Sequence, residues 1–277
     1  MSPFPVIRAL ALSCHPVPSV AVTAISAGLA TLADLSFVRG ALVVGAVFTG
    51  QLSIGWSNDY LDAERDRAAL RSDKPLATGA MKPRVVGLAA VVALVLTVAL
   101  SEALGWPGGA ALLATVLIAW GYNLGLKGTA LSWMPYAIAF GLAPAVVTLS
   151  AFAPRWPPAW VVTACAVLGV AAHLANVLPD LPDDVATGIR GLPHRIGARA
   201  TALTAAALLL VASAVILVGP AGQPGAWSCG LFGAAVLVAG ASARLAYRNP
   251  SSRTFFGAII LIAALDLVSL AFSGIRL

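Results

Sequence analysis

Charge is what this sequence has least of. Only 10% of its 277 residues are Asp, Glu, Lys or Arg, while 60% are hydrophobic and the mean hydropathy is +0.92. A soluble domain carries about a quarter charged residues, so a water-soluble globular fold is excluded. The apolar runs are continuous rather than alternating, which excludes a membrane β-barrel and leaves an all-α integral membrane protein. Cysteine is scarce as well. Cys14, Cys165 and Cys229 lie in apolar surroundings without metal-binding or redox spacing, and read as small core or lipid-facing residues. The first 33 residues lack the form of a cleaved signal peptide, because Arg8 is followed by Pro16, Pro18 and an apolar stretch that merges into the body of the chain. In a soluble protein the net charge of +6 would suggest nucleic acid. Here the basic residues sit between apolar runs, where they set topology, and no nucleic-acid partner is expected.

Charges, Pro and Gly punctuate nine candidate spans, at about 17–34, 40–58, 85–101, 107–124, 132–152, 158–178, 200–218, 226–244 and 255–274. With the N-terminus inside, one membrane face holds Arg8, Arg65, Arg67, Arg71, Lys74, Lys82, Arg84, Lys127, Arg190, Arg195, Arg199, Arg244, Arg248 and Arg253. The other holds Arg39, Arg155 and Arg276. That bias makes the first face cytoplasmic and puts the C-terminus outside, in a cytoplasmic (plasma) membrane. Residues 1–277 read as a single domain of two weakly repeated halves, because the long polar loops after the second and sixth spans carry the same order of features.

That order begins with acids. After the uncharged run Gly40–Trp56, four acids arrive in eight residues of Asn58-Asp59-Tyr60-Leu61-Asp62-Ala63-Glu64-Arg65-Asp66. On a continuing helix Asp59, Asp62 and Asp66 stack on one face, an arrangement that repels itself unless a cation sits among them. The second cluster is Asn176-Val177-Leu178-Pro179-Asp180-Leu181-Pro182-Asp183-Asp184, where the two prolines interrupt the helix. Magnesium takes oxygen ligands and is held by one or two carboxylates plus substrate phosphates. Two such clusters on one face would grip a diphosphate, with Lys74, Lys127, Arg190 and Arg195 on its outer oxygens. An apolar bundle behind them would take a hydrocarbon tail and exclude water from a cation formed on it. A prenyl diphosphate meets all three conditions.

These residues resemble the two aspartate-rich motifs of the UbiA superfamily of membrane prenyltransferases. The first motif, at 58–66, is Asn58-Asp59-x-x-Asp62-x-x-x-Asp66, followed by Lys74-Pro75-Leu76-x-x-Gly79. The second, at 176–184, ends Asp180-x-x-x-Asp184 and is followed by Gly188 and Leu192-Pro193-x-x-x-Gly197. The resemblance implies a nine-helix bundle with a central cavity opening near the cytoplasmic face, magnesium dependence, and transfer of an isoprenoid chain to an acceptor, often aromatic. It assigns magnesium and diphosphate to Asn58, Asp62, Asp66, Asp180 and Asp184, with Asp59 and Asp183 beside them. It also places Tyr122 and Lys127 at the reacting end of the prenyl diphosphate. The chain departs from the family in having Lys74 where many members have Arg, and His15-Pro16 where Arg-Pro or Lys-Pro is common.

Other readings stand beside these. The acids are also consistent with a solvated helix end, and Lys127 with a topology-setting charge. His173, one turn before Asn176, is either a satisfied core histidine or, with Asn176, a contact for acceptor or prenyl chain. Asp266, mid-span, is an intramembrane acid without a nameable partner. Trp120 and Tyr136 are interface anchors or stacking surfaces for a prenyl cation. With no acceptor the same site makes a membrane terpene cyclase, and a cation-coupled transporter or lipid-binding protein is the reading from another class.

Overall fold

The computed structural model describes residues 4–249, 254–275 and 277. Arg253 and Arg276, used above to weigh topology, lie outside them. The described residues form helices joined by turns and irregular loops, with no strand among them. The first two helices, α1 (Phe4–Ser13) and α2 (Pro16–Leu32), meet at a bend of 66°. The break sits at His15, held left-handed at φ 53°, because a residue before proline is disfavoured in the right-handed helical region and Pro16 then starts the next helix. Backbone packs directly on backbone here: a Cβ on Gly55 would stand 2.4 Å from the Cys14 carbonyl.

Gly55 belongs to α3 (Phe37–Ala68), whose 32 residues extend about 48 Å, well past the roughly 30 Å of hydrocarbon in a bilayer. Its final turns therefore carry the first acidic cluster out of the apolar layer without a break. Then follow α4 (Pro83–Ala103), α5 (Trp106–Leu124), α6 (Met134–Thr148), α7 (Ala159–Val177), the short α8 (Leu181–Ala186) and α9 (Leu192–Ile196), α10 (Ala198–Val218), α11 (Ala226–Arg248) and α12 (Thr254–Phe272).

All nine expected segments fold as helices, although length and apolar character alone single out fewer than nine of them as spans. Among the described residues seven helices are long and apolar enough to cross a membrane, or eight if the bent α1–α2 pair counts as one. The segment 132–152 yields only the 15 residues of α6, about 22 Å, because Pro135 fixes its start and the chain turns at Leu149–Ala153.

Each long helix packs on the next, and α12 returns to α2, closing a ring. One buried cluster joins α2, α3, α5 and α6; a second joins α7, α10, α11 and α12; Ile25 touches both. In the second, Asp266 finds the partner that the sequence did not name: its Oδ2 accepts from Ser213 of α10 at 3.0 Å.

Candidate active site

The helical spacing of the first cluster turns Asp59, Asp62 and Asp66 inward, at 1%, 6% and 8% exposure. Buried like charges need counter-ions, and the chain supplies them. Lys74 Nζ donates to Asp59 Oδ1 at 2.5 Å, and His15 Nε2 lies 3.1 Å from the same oxygen. Lys127 Nζ donates to both oxygens of Asp62, 2.6 Å from Oδ2, and Arg65 Nη2 adds a contact at 2.5 Å. Asp66 stands in the field of Lys74 and Arg65. Asn58 donates its amide to Asn123 Oδ1 at 3.1 Å, while Asn123 donates to Ser57 Oγ and the Ile54 carbonyl. Asn58 is thereby fixed through its nitrogen, which leaves its oxygen, the atom a hard cation takes, outside that bond.

The loop that brings Lys74 back over α3 is anchored by Leu76, 1% exposed against Ala9, Ala63, Met81 and Val86. Burying such a side chain stabilises the loop by about 1.5–3 kcal/mol. Arg67 Nη2 also donates to the Leu76 carbonyl at 3.3 Å.

At Pro179, which has no N–H to give, α7 tightens into a 3-10 turn over Leu178–Asp180 and resumes as α8. The turn leaves Asp180, Asp183 and Asp184 more open than the first cluster, with side chains 35%, 51% and 21% exposed. Arg71 ties the two clusters together. It grips Asp73 through Nε and Nη2 at 2.9 and 3.0 Å, while Nη1 reaches Asp180 Oδ1 at 3.1 Å and Asp183 Oδ2 at 3.9 Å. The hydrogen bond to Asp73 holds its guanidinium above the ordinary arginine range.

A second tie runs through the turn after α5. Lys127 lies there, only 10% exposed, and burial pushes its ammonium below the usual lysine range against the opposing pull of Asp62. A Cβ on Gly191 would come within 2.5 Å of the Lys127 carbonyl, so only glycine lets the loop after α8 lie this close. Ser132 Oγ accepts from Leu192 N at 2.9 Å and sits 3.0 Å from His173 Nε2. His173 is fully buried, with Nδ1 unpartnered. Its ring centroid lies 5.8 Å from Tyr122 and 5.0 Å from Tyr136, and Tyr136 lies within reach of the Asn176 side chain. Tyr122 in turn is in the field of Asp62, Asp180 and Asp184. Tyr136 thus joins the aromatic group under the acids, whereas Trp120 is held by Ser53 Oγ at 3.2 Å.

Arg190 and Arg195 do not follow the other basic residues inward; both are exposed, and Arg195 Nε donates to the Arg190 carbonyl. Among the described residues no three His, Cys, Asp or Glu side chains form a ready metal cage, because the acids lean toward their own lysines and arginines. A cavity of about 270 Å³ opens at the acidic end, lined by Leu61, Asp62, Arg65, Asn123, Lys127 and Ile189. Its walls come from the ends of α3 and α5, the turn after α5 and the loop before α9.

The model of the UbiA prenyltransferase family matches residues 19–265. The chain belongs to that family. As a UbiA-family fold it superposes on a UbiA homolog from Aeropyrum pernix K1 in its apo form, with TM-score 0.76 at 16% identity over 92% of this chain and 97% of that one. A UbiA homolog from Archaeoglobus fulgidus bound to DMAPP and Mg2+ gives TM-score 0.73 at 15% identity, covering 96% and 98%. A structure described as digeranylgeranylglyceryl phosphate synthase in membranes gives 0.67 at 15%, covering 98% and 99%. A comparison with curated proteins finds no match.

Four residues of this UbiA-family site were not singled out from the sequence. Arg71, five residues after Asp66, and His194, one of three histidines, had a signal in their polar loops; Asn123 had one as an amide closing an apolar helix; Ser132 had none.

Proposed function

We propose that this chain transfers a prenyl group from a prenyl diphosphate to an acceptor nucleophile, of aromatic type, through an allylic carbocation. The observation that carries this reading is the Arg71–Asp180 contact of 3.1 Å, which sets both acidic clusters at one end of the bundle. The donors there are carboxylate and amide oxygens, which fit magnesium. Asn58, Asp62 and Asp66 would hold it on one side, Asp180 and Asp184 on the other. Magnesium, when bound, neutralises charge that builds on the departing diphosphate.

The chain's own residues do the rest. Lys127, Lys74 and Arg71 give up their carboxylates and take diphosphate oxygens instead, Arg71 as a fork and the lysines as point charges. The C–O bond to the prenyl carbon breaks, and the cation left behind faces the rings of Tyr122, Tyr136 and His173. The bundle excludes water, so the acceptor is the nucleophile that attacks. An aromatic acceptor then loses its ring proton to a carboxylate of either cluster or to diphosphate. We place the acidic end and the amino terminus on the cytoplasmic side of the plasma membrane and the carboxy terminus opposite, from the distribution of Lys and Arg.

Purified protein in detergent, given a panel of prenyl diphosphates and phenolic acids, tests this by mass spectrometry. A prenylated acceptor formed with Mg2+ and absent with EDTA is the expected result. A cyclic hydrocarbon or alcohol from prenyl diphosphate alone would make the chain a terpene cyclase. Ion-dependent uptake into vesicles with no diphosphate released would overturn both.

A further inference from the structure

His194 is the side chain that this mechanism leaves idle. Its short helix is pinned by the Leu192 N–H to Ser132 and by Thr201 Oγ1, which donates to the Pro193 carbonyl at 3.2 Å. Those bonds turn the ring inward, to 3% side-chain exposure, with Nε2 3.3 Å from Asp184 Oδ2. Neither ring nitrogen makes a hydrogen bond; the approach to Asp184 has the length of an ion pair without hydrogen-bond geometry. Leaving a buried polar atom unmet is costly, and a native one points to a ligand that completes it.

The spacing fits an ion. Two donors each about 2.1 Å from one divalent cation lie about 3.0 Å apart at a right angle. The 3.3 Å between Oδ2 and Nε2 corresponds on the same bond lengths to an angle of about 100°. The two atoms already stand as neighbours in one coordination shell.

We propose that His194 is a nitrogen ligand which, with Asp184, binds a divalent cation at the second acidic cluster. This rests on the diphosphate reading above, with waters and diphosphate oxygens completing the shell. The first cluster offers only oxygens, from Asn58, Asp62 and Asp66, and suits magnesium. An imidazole beside a carboxylate shifts the second site away from Mg2+ toward first-row transition-metal ions, so the two ion sites differ in preference within one molecule.

The test uses the full chain purified without a polyhistidine tag and loaded with Mn2+, alone and with inorganic diphosphate. Pulsed electron paramagnetic resonance reads 14N coupling from a bound imidazole. Coupling should be present in the wild type, persist in His15→Gln and His173→Phe, and vanish in His194→Gln, which keeps an oxygen donor and is checked for folding by gel filtration. The ratio of Mn2+ to Mg2+ affinity should fall about 10- to 100-fold in His194→Gln, the range found when groups around a metal are altered. Bound Mn2+ without 14N coupling, or coupling that survives His194→Gln, would overturn the proposal and leave the diphosphate reading standing. No Mn2+ bound under any condition would overturn both.

Discussion

Removing Asp62 separates a catalytic acid from a mere counter-ion. Its side chain is 9% exposed and Lys127, which it neutralises, is 10% exposed. Asp62→Asn therefore strands a buried ammonium, and breaking a buried pair by deleting one partner costs about 3–5 kcal/mol. Arg65, 24% exposed on the other side of Asp62, adds under about 1 kcal/mol. Asp62→Asn/Lys127→Met deletes both charges and should recover most of that stability, since a neutral replacement of a buried pair is often tolerated. Activity should behave differently. Asp62 would act by holding the magnesium that stabilises the departing charge; losing one such stabilising contact costs about 10²–10³ in kcat, and the double variant should stay as inactive as the single. Thermal unfolding in detergent gives the stability and released diphosphate gives the rate. If the double variant regained turnover together with stability, Asp62 would be a counter-ion and nothing more.

Three further outcomes are expected. Arg71→Ala should raise the KM for prenyl diphosphate about 10- to 100-fold while shifting stability by less than about 1 kcal/mol, because its partners Asp73 and Asp180 are 43% and 35% exposed; Arg71→Lys should recover part of the binding, and steady-state kinetics decide. Because burial lowers the Lys127 pKa, raising pH should strip its proton and weaken diphosphate binding before an ordinary lysine would titrate, and Lys127→Arg should move that alkaline limb upward in a pH profile of kcat/KM. Asp266→Asn keeps an acceptor for Ser213 and should leave activity within about twofold and stability within about 1 kcal/mol, read by product formation and unfolding.

What the sequence revealed was what depends on local spacing. The charge-free run Gly40–Trp56 followed by acids at helical intervals marked α3 and its inward carboxylates, and Pro179 marked the point where α7 stops being regular. What it hid depends on contacts across long separations. Arg71 meets Asp180 more than a hundred residues away, and Ser132 joins Leu192 and His173 through one hydroxyl; no local pattern announces either. Lys127 matched the family motif and Lys74 departed from it, but the pairing of Lys74 with Asp59 and of Lys127 with Asp62 follows from packing. Hydropathy likewise showed an apolar segment at 132–152 but not that prolines and turns shorten its helix to 15 residues.

The claim that both acidic clusters seat one diphosphate is tested most directly by binding of an unreactive prenyl thiolodiphosphate, titrated by calorimetry with Mg2+ or with EDTA. Wild-type protein should bind only with Mg2+, and Asp62→Asn and Asp184→Asn should each abolish that binding while the protein stays folded. Undiminished binding in either variant, or binding that persists in EDTA, would contradict the account.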